Sequence, residues 1–369
     1  MKQEQILIFK NDLAKYPPII TIIKVLLNEG YKVSFWGYCS DVNIIKTFNA
    51  DFTYKELLLD NVNANKLSKL YTFLKYKKSI HKLLSSKDSK NINLWVFGNQ
   101  NLWLLNRQLI HYKFIAYLFE MPEFTVATNY KLFCTNKSYK EILQCANKVV
   151  CCEYNRAAIT KALFNLSEIP FVIPNKPIIE SYIPSASSFE NKKVILYQGI
   201  FNYPERRLDE FCQAIELLPE NFILVLMGGP DNKYRNMLKQ KYESERVIFL
   251  PFMSPPNHIS ITQQSYIGLL TYNSTSSHVQ EILNLLYCAP NKVYEYAHFG
   301  VPMISNDLPA LRAIFDKYNA GLVVERYDPH LIAQTILEID SNYTQYQEGA
   351  QKVYKSVDVE NLIKQLVAC

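Results

Sequence analysis

Apolar residues fall along this chain in short runs of four to eight, each bounded by polar or turn-forming residues. That is the pattern of buried parallel strands. Gln5–Phe9 (QILIF) and Lys32–Trp36 (KVSFW) read as strands, with a mostly apolar helix, Ile19–Leu27, between them and Asn28-Glu29-Gly30 ending it. Strand, helix, strand in about 30 residues is a βαβ unit and predicts a parallel sheet. Four further segments repeat a short strand followed by a turn or helix: Asn93–Gln100, Lys113–Glu123, Asn147–Phe164 and Pro170–Pro177. Ser181–Lys193 (SYIPSASSFENKK) then reads as a linker.

The pattern restarts after it. Val194–Gln198 (VILYQ), Phe222–Met227 (FILVLM), Val247–Leu250 and Ile267–Thr271 (IGLLT) predict strands. Helices are expected at Leu208–Leu218, Tyr234–Tyr242 and around His258–Gln264, and a long loop at Tyr272–Tyr287. In Ala289–Ala310 (APNKVYEYAHFGVPMISNDLPA), Pro290-Asn291 opens a helix that Asn291 can cap. Val293, Tyr296 and Ala297 make its apolar face, Gly300 ends it, and Val301–Ser305 returns as a buried strand. The expected fold is α/β: two parallel-sheet domains, 1–177 and 178–354, with a last helix in 355–369 crossing back onto the first.

Composition adds exclusions. At 369 residues the chain suits two domains. No run of 18 apolar residues occurs, and the N-terminus enters a strand at once, so neither a membrane span nor a signal peptide is expected. The eight cysteines have no CxxC spacing and read as reduced, packed thiols of a cytosolic protein. No two histidines stand at ligand spacing, so no metal is expected.

Charge is divided unevenly. Residues 1–180 carry a net +10 and the remainder −4. Much of the excess lies in Asn65–Lys90, where Leu67, Leu70, Tyr71, Leu74, Ile80, Leu83 and Leu84 mark an apolar stripe among Lys66, Lys69, Lys75, Lys77, Lys78 and Lys82. Such a helix suits an anionic membrane surface, or equally a sheet-covering helix with a solvated lysine face. No nucleic-acid-binding motif accompanies it.

Candidate chemistry gathers in the second half. Lys10–Pro18 has no glycine, which argues against a dinucleotide in the first half. In the second, Gly199 follows a strand and allows close backbone approach, while Arg206 or Arg207 can grip phosphates from the next loop. The helix opening at Asn291-Lys292 offers amides and a positive dipole end, with Glu295 one turn deeper to accept from ribose hydroxyls. An ordinary αβ unit with a solvated Glu295 is the plain alternative. In the first half Glu120 ends the strand FIAYLF, where open α/β sheets bind ligands, and Glu153 suits a capping role.

The succession YQG…ERRLDEFCQAI, FILVLMGGP, VIFLPFM, IGLLTY and PNKVYEYAHFGVPMISNDLPALR, over about Lys193–Leu337, resembles the nucleotide-binding domain of retaining, family 4-type glycosyltransferases of the GT-B fold. The resemblance implies two Rossmann-like domains with parallel sheets facing a central cleft. It implies transfer of a sugar, with retention, from a nucleotide-diphosphate-sugar donor to a glycan or lipid-linked acceptor, in polysaccharide or cell-surface glycan synthesis, without a metal or a separate cofactor. Glu295 matches the second Glu of the family's E-x7-E motif, which holds the ribose. Arg206 matches the basic residue that meets the diphosphate, Gly229 a glycine lining the donor site, and Pro251-Phe252-Met253 the segment whose backbone holds the base. Arg206 and Glu120 are thus the candidate catalytic residues; Gly199, Arg207, Gly229, Phe252, Met253, Asn291, Lys292 and Glu295 are the candidate donor-binding residues. Three positions depart from the pattern: Tyr287 stands where the first motif Glu belongs, Ile200 replaces a second basic residue, and Phe119-Glu120 replaces a His-Glu pair. The expected setting is cytoplasmic, at the inner face of the membrane if the basic helix docks there. A donor-binding GT-B partner subunit without turnover, and a GT-B nucleotide-sugar epimerase, are the alternatives.

Overall fold

A computed structural model describes residues 2–57, 66–179 and 189–368. The side chain of Lys66, and residues 181–188 of the expected linker, lie outside the described residues. The chain divides into two compact units, Met1–Pro174 with Val359–Cys369, and Asn175–Asp358. The sequence reading draws these divisions at 177/178 and 354/355.

The first unit holds a seven-stranded sheet of order β3-β2-β1-β4-β5-β6-β7. Its strands are β1 (Glu4–Asp12), β2 (Val33–Tyr38), β3 (Phe52–Glu56), β4 (Ile92–Phe97), β5 (Phe114–Leu118), β6 (Lys148–Cys151) and β7 (Phe171–Val172). Every pairing is parallel. The central strands are buried along their length, β4 and β5 at every residue, which explains their unbroken apolar runs. The last helix, Val359–Ala368, belongs to this unit, and Lys364 Nζ lies 2.8 Å from Glu29 Oε1 beside the helix Pro17–Asn28.

The second unit has six parallel strands in the order β10-β9-β8-β11-β12-β13. They are β8 (Lys193–Ile200), β9 (Phe222–Gly229), β10 (Val247–Leu250), β11 (Ile267–Leu270), β12 (Met303–Asn306) and β13 (Gly321–Val324). The chain works outward from β8 through β9 to β10, then returns to the other side of β8 with β11. The order therefore reverses between β8 and β11, and open α/β sheets bind ligands outside the carboxyl ends of strands at such a point.

Three expectations need correction. Tyr272–Tyr287 is not a loop throughout: Val279–Leu286 is helical, because Val279, Ile282, Leu283 and Leu286 recur at helical spacing. None of its residues is buried. The helix Lys66–Ser85 buries only part of the stripe read in the sequence: Ile80 and Leu84 turn inward with Phe73 and Tyr76, while Leu67, Tyr71 and Leu74 are exposed. Asn291 is no cap. It is already the first helical residue of Asn291–His298, preceded by Pro290 in extended conformation with no side-chain capping bond.

Candidate donor site

The site begins with a glycine that is not itself in it. A Cβ on Gly268, in β11, would lie 2.5 Å from the Tyr296 ring. The bare backbone there lets Tyr296 pack flat on the sheet, fully buried, with its hydroxyl donating to Leu196 O of β8 at 2.9 Å. Burial pushes the Tyr296 hydroxyl well above its ordinary pKa, so it stays a neutral donor. With Val293 and Ala297 also fully buried, the helix Asn291–His298 is clamped over β8 and β11. Burying one such aromatic side chain stabilises by about 1.5–3 kcal/mol. Glu295 and Lys292 are thereby fixed at the switch point.

Glu295 is held by partners from distant parts of the chain. Gln198 Nε2, at the end of β8, donates to Glu295 Oε2 at 2.7 Å. The Gln198 carbonyl in turn accepts from Thr262 Oγ1 at 2.7 Å. His258 Nε2 lies 3.4 Å from Glu295 Oε1. Gln198, Thr262 and Glu295 are all buried. A carboxylate fixed on both oxygens keeps lone pairs in defined directions, as recognition of vicinal hydroxyls requires.

Cationic groups stand beside it. Lys292 occupies the first turn of the helix, and its Cε lies 3.3 Å from where a Cβ on Gly199 would be, so the glycine leaves room for the lysine. Burial depresses the Lys292 pKa; Glu295 opposes that shift and Arg206 adds to it. Arg206 stacks on Tyr272, its guanidinium carbon 4.4 Å from the ring centre, and its Nη1 donates to Glu205 O at 2.8 Å. The Asn291 and Lys292 amides, as first-turn positions, have no acceptor within the helix. Two basic side chains, two amides and a helix dipole thus converge at the end of β8. Such a constellation lowers the free energy of a phosphate or diphosphate.

The other candidates take varied places. Gly229 ends β9, and a Cβ on it would sit 3.4 Å from Phe252 Cβ, so Gly229 and Phe252 adjoin. Phe252 is exposed, whereas Met253 packs on the core of this unit. Arg207 turns elsewhere: it pairs with Glu210 and lies over the Tyr327 ring, 4.7 Å from its centre. Glu120 belongs to the first unit, where its exposed carboxylate lies 3.3 Å from Arg156 Nη1, which also donates to Phe119 O at 2.8 Å. Glu153 caps the helix Tyr154–Phe164, accepting from Arg156 N at 2.9 Å.

Gln198, Thr262, His258 and Tyr272 were not legible as site residues. The one available signal was position, since Gln198 and Tyr272 follow the apolar runs of the two strands that flank the switch point. Among the described residues no cluster of three or more His, Cys, Asp or Glu side chains could hold a metal ion, and no helix is long and apolar enough to cross a membrane.

Comparison with known proteins bears on the fold. Residues 192–342 match the family described as Glycosyl transferases group 1. No curated protein matches the sequence. Among solved structures, Anabaena Alr3699/HepE in complex with UDP and glucose is similar with a TM-score of 0.72 at 12% identity, over 99% of this chain and 98% of that one. A putative UDP-N-acetylglucosamine 2-epimerase from Listeria monocytogenes gives 0.67 at 11% identity, over 100% and 95%. WaaG, a glycosyltransferase involved in lipopolysaccharide biosynthesis, gives 0.63 at 12% identity, over 98% of each chain. The protein has the GT-B fold, two Rossmann-like units, and residues 192–342 of its second unit match the model of the glycosyl transferases group 1 family.

Proposed function

We propose that this chain is a glycosyltransferase that takes a sugar from a nucleotide-diphosphate-sugar and transfers it, with retention at the anomeric carbon, to a glycan or lipid-linked acceptor. The observation that carries the reading is the meeting of Arg206, Lys292 and the held carboxylate of Glu295 at the switch point. Arg206, Lys292 and the helix-start amides stabilise the leaving diphosphate as negative charge develops on it. Glu295 accepts from the ribose hydroxyls and sets the depth of the nucleoside. Gly229 and the backbone around Phe252 and Met253 offer a wall for the base. Arg207, held by Glu210, serves the diphosphate only if that pair opens, and Glu120 is assigned to the acceptor side. The family 4-type assignment and a role in polysaccharide or cell-surface glycan synthesis belong to the same reading.

Likeness to an epimerase gives the alternative of an isomerase acting on the donor alone. Tyr287, in place of the first motif Glu, favours a third reading, a donor-binding subunit without turnover. The test is a thermal-shift panel of UDP, GDP, dTDP and ADP on the wild type, Glu295→Ala and Arg206→Ala. A ligand that binds only the folded chain raises its melting point. Stabilisation of the wild type by one nucleotide, much reduced in both variants, supports the donor site, and no response to any nucleotide removes it. Incubation with the matching nucleotide-sugar then separates the readings. A new sugar isomer formed without acceptor indicates an epimerase, and binding with no conversion under any acceptor indicates a subunit.

A further inference from the structure

The helix Lys66–Ser85 has two apolar faces, and the fold uses one. Phe73, Tyr76, Ile80 and Leu84 point into the core of the first unit. On the opposite side Leu67, Tyr71 and Leu74 stand 79%, 66% and 49% exposed, and the same line continues through the exposed Lys78 and Lys82, with Lys75 alongside. The spacing 67, 71, 74, 78, 82 is one straight stripe down a helix. On the inward side Phe73 stacks on Tyr130 with ring centres 4.7 Å apart, and the two residues that follow Tyr130, Lys131 and the 74% exposed Leu132, are at the surface. Gln108, hydrogen-bonded to His81 at 2.9 Å, brings in the exposed Arg107. Segments 66–87, 99–112 and 124–140, which hold these residues, contain no Asp or Glu at all.

We propose that this face docks on an anionic lipid surface. The proposal deepens the lipid-linked acceptor reading above, but it rests on residues of the first unit and not on the donor site. Leu67, Tyr71 and Leu74 would enter the headgroup boundary while Lys75, Lys78 and Lys82 reach to lipid phosphates on flexible stems. A polyanion such as nucleic acid would explain the lysines but leave the two leucines with nothing to contact. A second copy of this face would set lysines against lysines. A lipid surface satisfies both halves of the stripe.

The test is sedimentation of the full chain with vesicles of phosphatidylcholine alone, or mixed with phosphatidylglycerol. Wild type is expected to sediment with the mixed vesicles and not with phosphatidylcholine alone. Each lysine removed should weaken partitioning about fivefold, so Lys75→Gln/Lys78→Gln/Lys82→Gln loses on the order of a hundredfold. Leu67→Ser/Tyr71→Ser/Leu74→Ser should also release the chain. Both variants change exposed side chains, and an undiminished melting temperature will show that they fold. Failure of the wild type to sediment, equal sedimentation with both vesicles, or an unchanged lysine variant overturns the proposal. So does a dimer that the Leu67/Tyr71/Leu74 variant dissolves without any change in lipid binding. Nucleotide stabilisation reports the donor site separately, so either reading can fail alone.

Discussion

Replacing Gln198 by Leu tests whether the carboxylate of Glu295 is held as the geometry requires. The side chain makes two buried hydrogen bonds of 2.7 Å, one donated to the Glu295 carboxylate and one accepted from the Thr262 hydroxyl. A hydrogen bond to an ionised group is worth about 1.5–3 kcal/mol and a neutral one about 0.5–1.5 kcal/mol. Thr262 keeps a second acceptor, His258 O at 3.1 Å, so its loss falls at the low end. Among the described residues Glu295 then keeps the longer contact to His258, so its loss falls at the high end. The leucine adds some apolar burial in return. The balance is a destabilisation of about 3 kcal/mol, which for a domain of this size lowers the melting temperature by about 6–12 °C. Chemical denaturation of the single variants and of Gln198→Leu/Glu295→Gln completes a double-mutant cycle, with an expected coupling of about 1–2 kcal/mol. Nucleotide affinity should fall with Gln198→Leu as well, because the freed carboxylate rotates out of the position proposed to receive the ribose. A loss below about 0.5 kcal/mol, or strict additivity in the cycle, would refute the network as the device that positions Glu295.

Two further changes probe the same sheet edge. Lys292 has its folded pKa depressed below 10.5, chiefly by burial, so the ligand-free protein carries a penalty for keeping it charged. That penalty is fully present below the folded pKa and is relieved as pH rises from there toward 10.5, because the unfolded chain then binds more protons. Lys292→Met should therefore leave the melting temperature of the free protein unchanged or higher, yet weaken nucleotide binding by tenfold or more. Wild-type nucleotide affinity, followed by titration calorimetry, should decline with rising pH in that same window, and the variant should not show the decline. Gly228→Ala should be far more damaging. Gly228 has φ +147°, and an added Cβ would lie 1.7 Å from Gly199 O, forcing β8 and β9 apart at their carboxyl ends. Loss of soluble folded protein, or of more than about 3 kcal/mol by denaturation, is expected.

Strand positions were legible because a buried parallel strand must be apolar on both faces, and few other structures yield runs such as FILVLM or FIAYLF. The inward face of Asn291–His298 was legible for a similar reason, since Val293, Tyr296 and Ala297 can meet only on one side of a helix. What local pattern could not supply was choice between competing faces. Lys66–Ser85 carries apolar residues on two sides, and which side is buried depends on Tyr130, Asn101 and Trp103 placed elsewhere by the sheet. The helix Val279–Leu286 was hidden differently: its spacing is regular, but a lead-in of Asn, Ser and Thr residues reads as loop. The Glu295 network lies beyond any local reading. Gln198 stands 97 residues from Glu295 and 64 from Thr262, and these side chains meet only because the chain returns to β8 from the other side with β11. Arg206 and Arg207 make the same point at closest range. Adjacent in sequence and identical in chemistry, they are separated by neighbours: Glu210 and Tyr327 hold one, and Tyr272 stacks under the other at the switch point. A basic pair in a sequence thus identifies a site only to within one residue. It is the carboxylate within reach of one and the aromatic face beneath the other that decide which guanidinium is left for a phosphate.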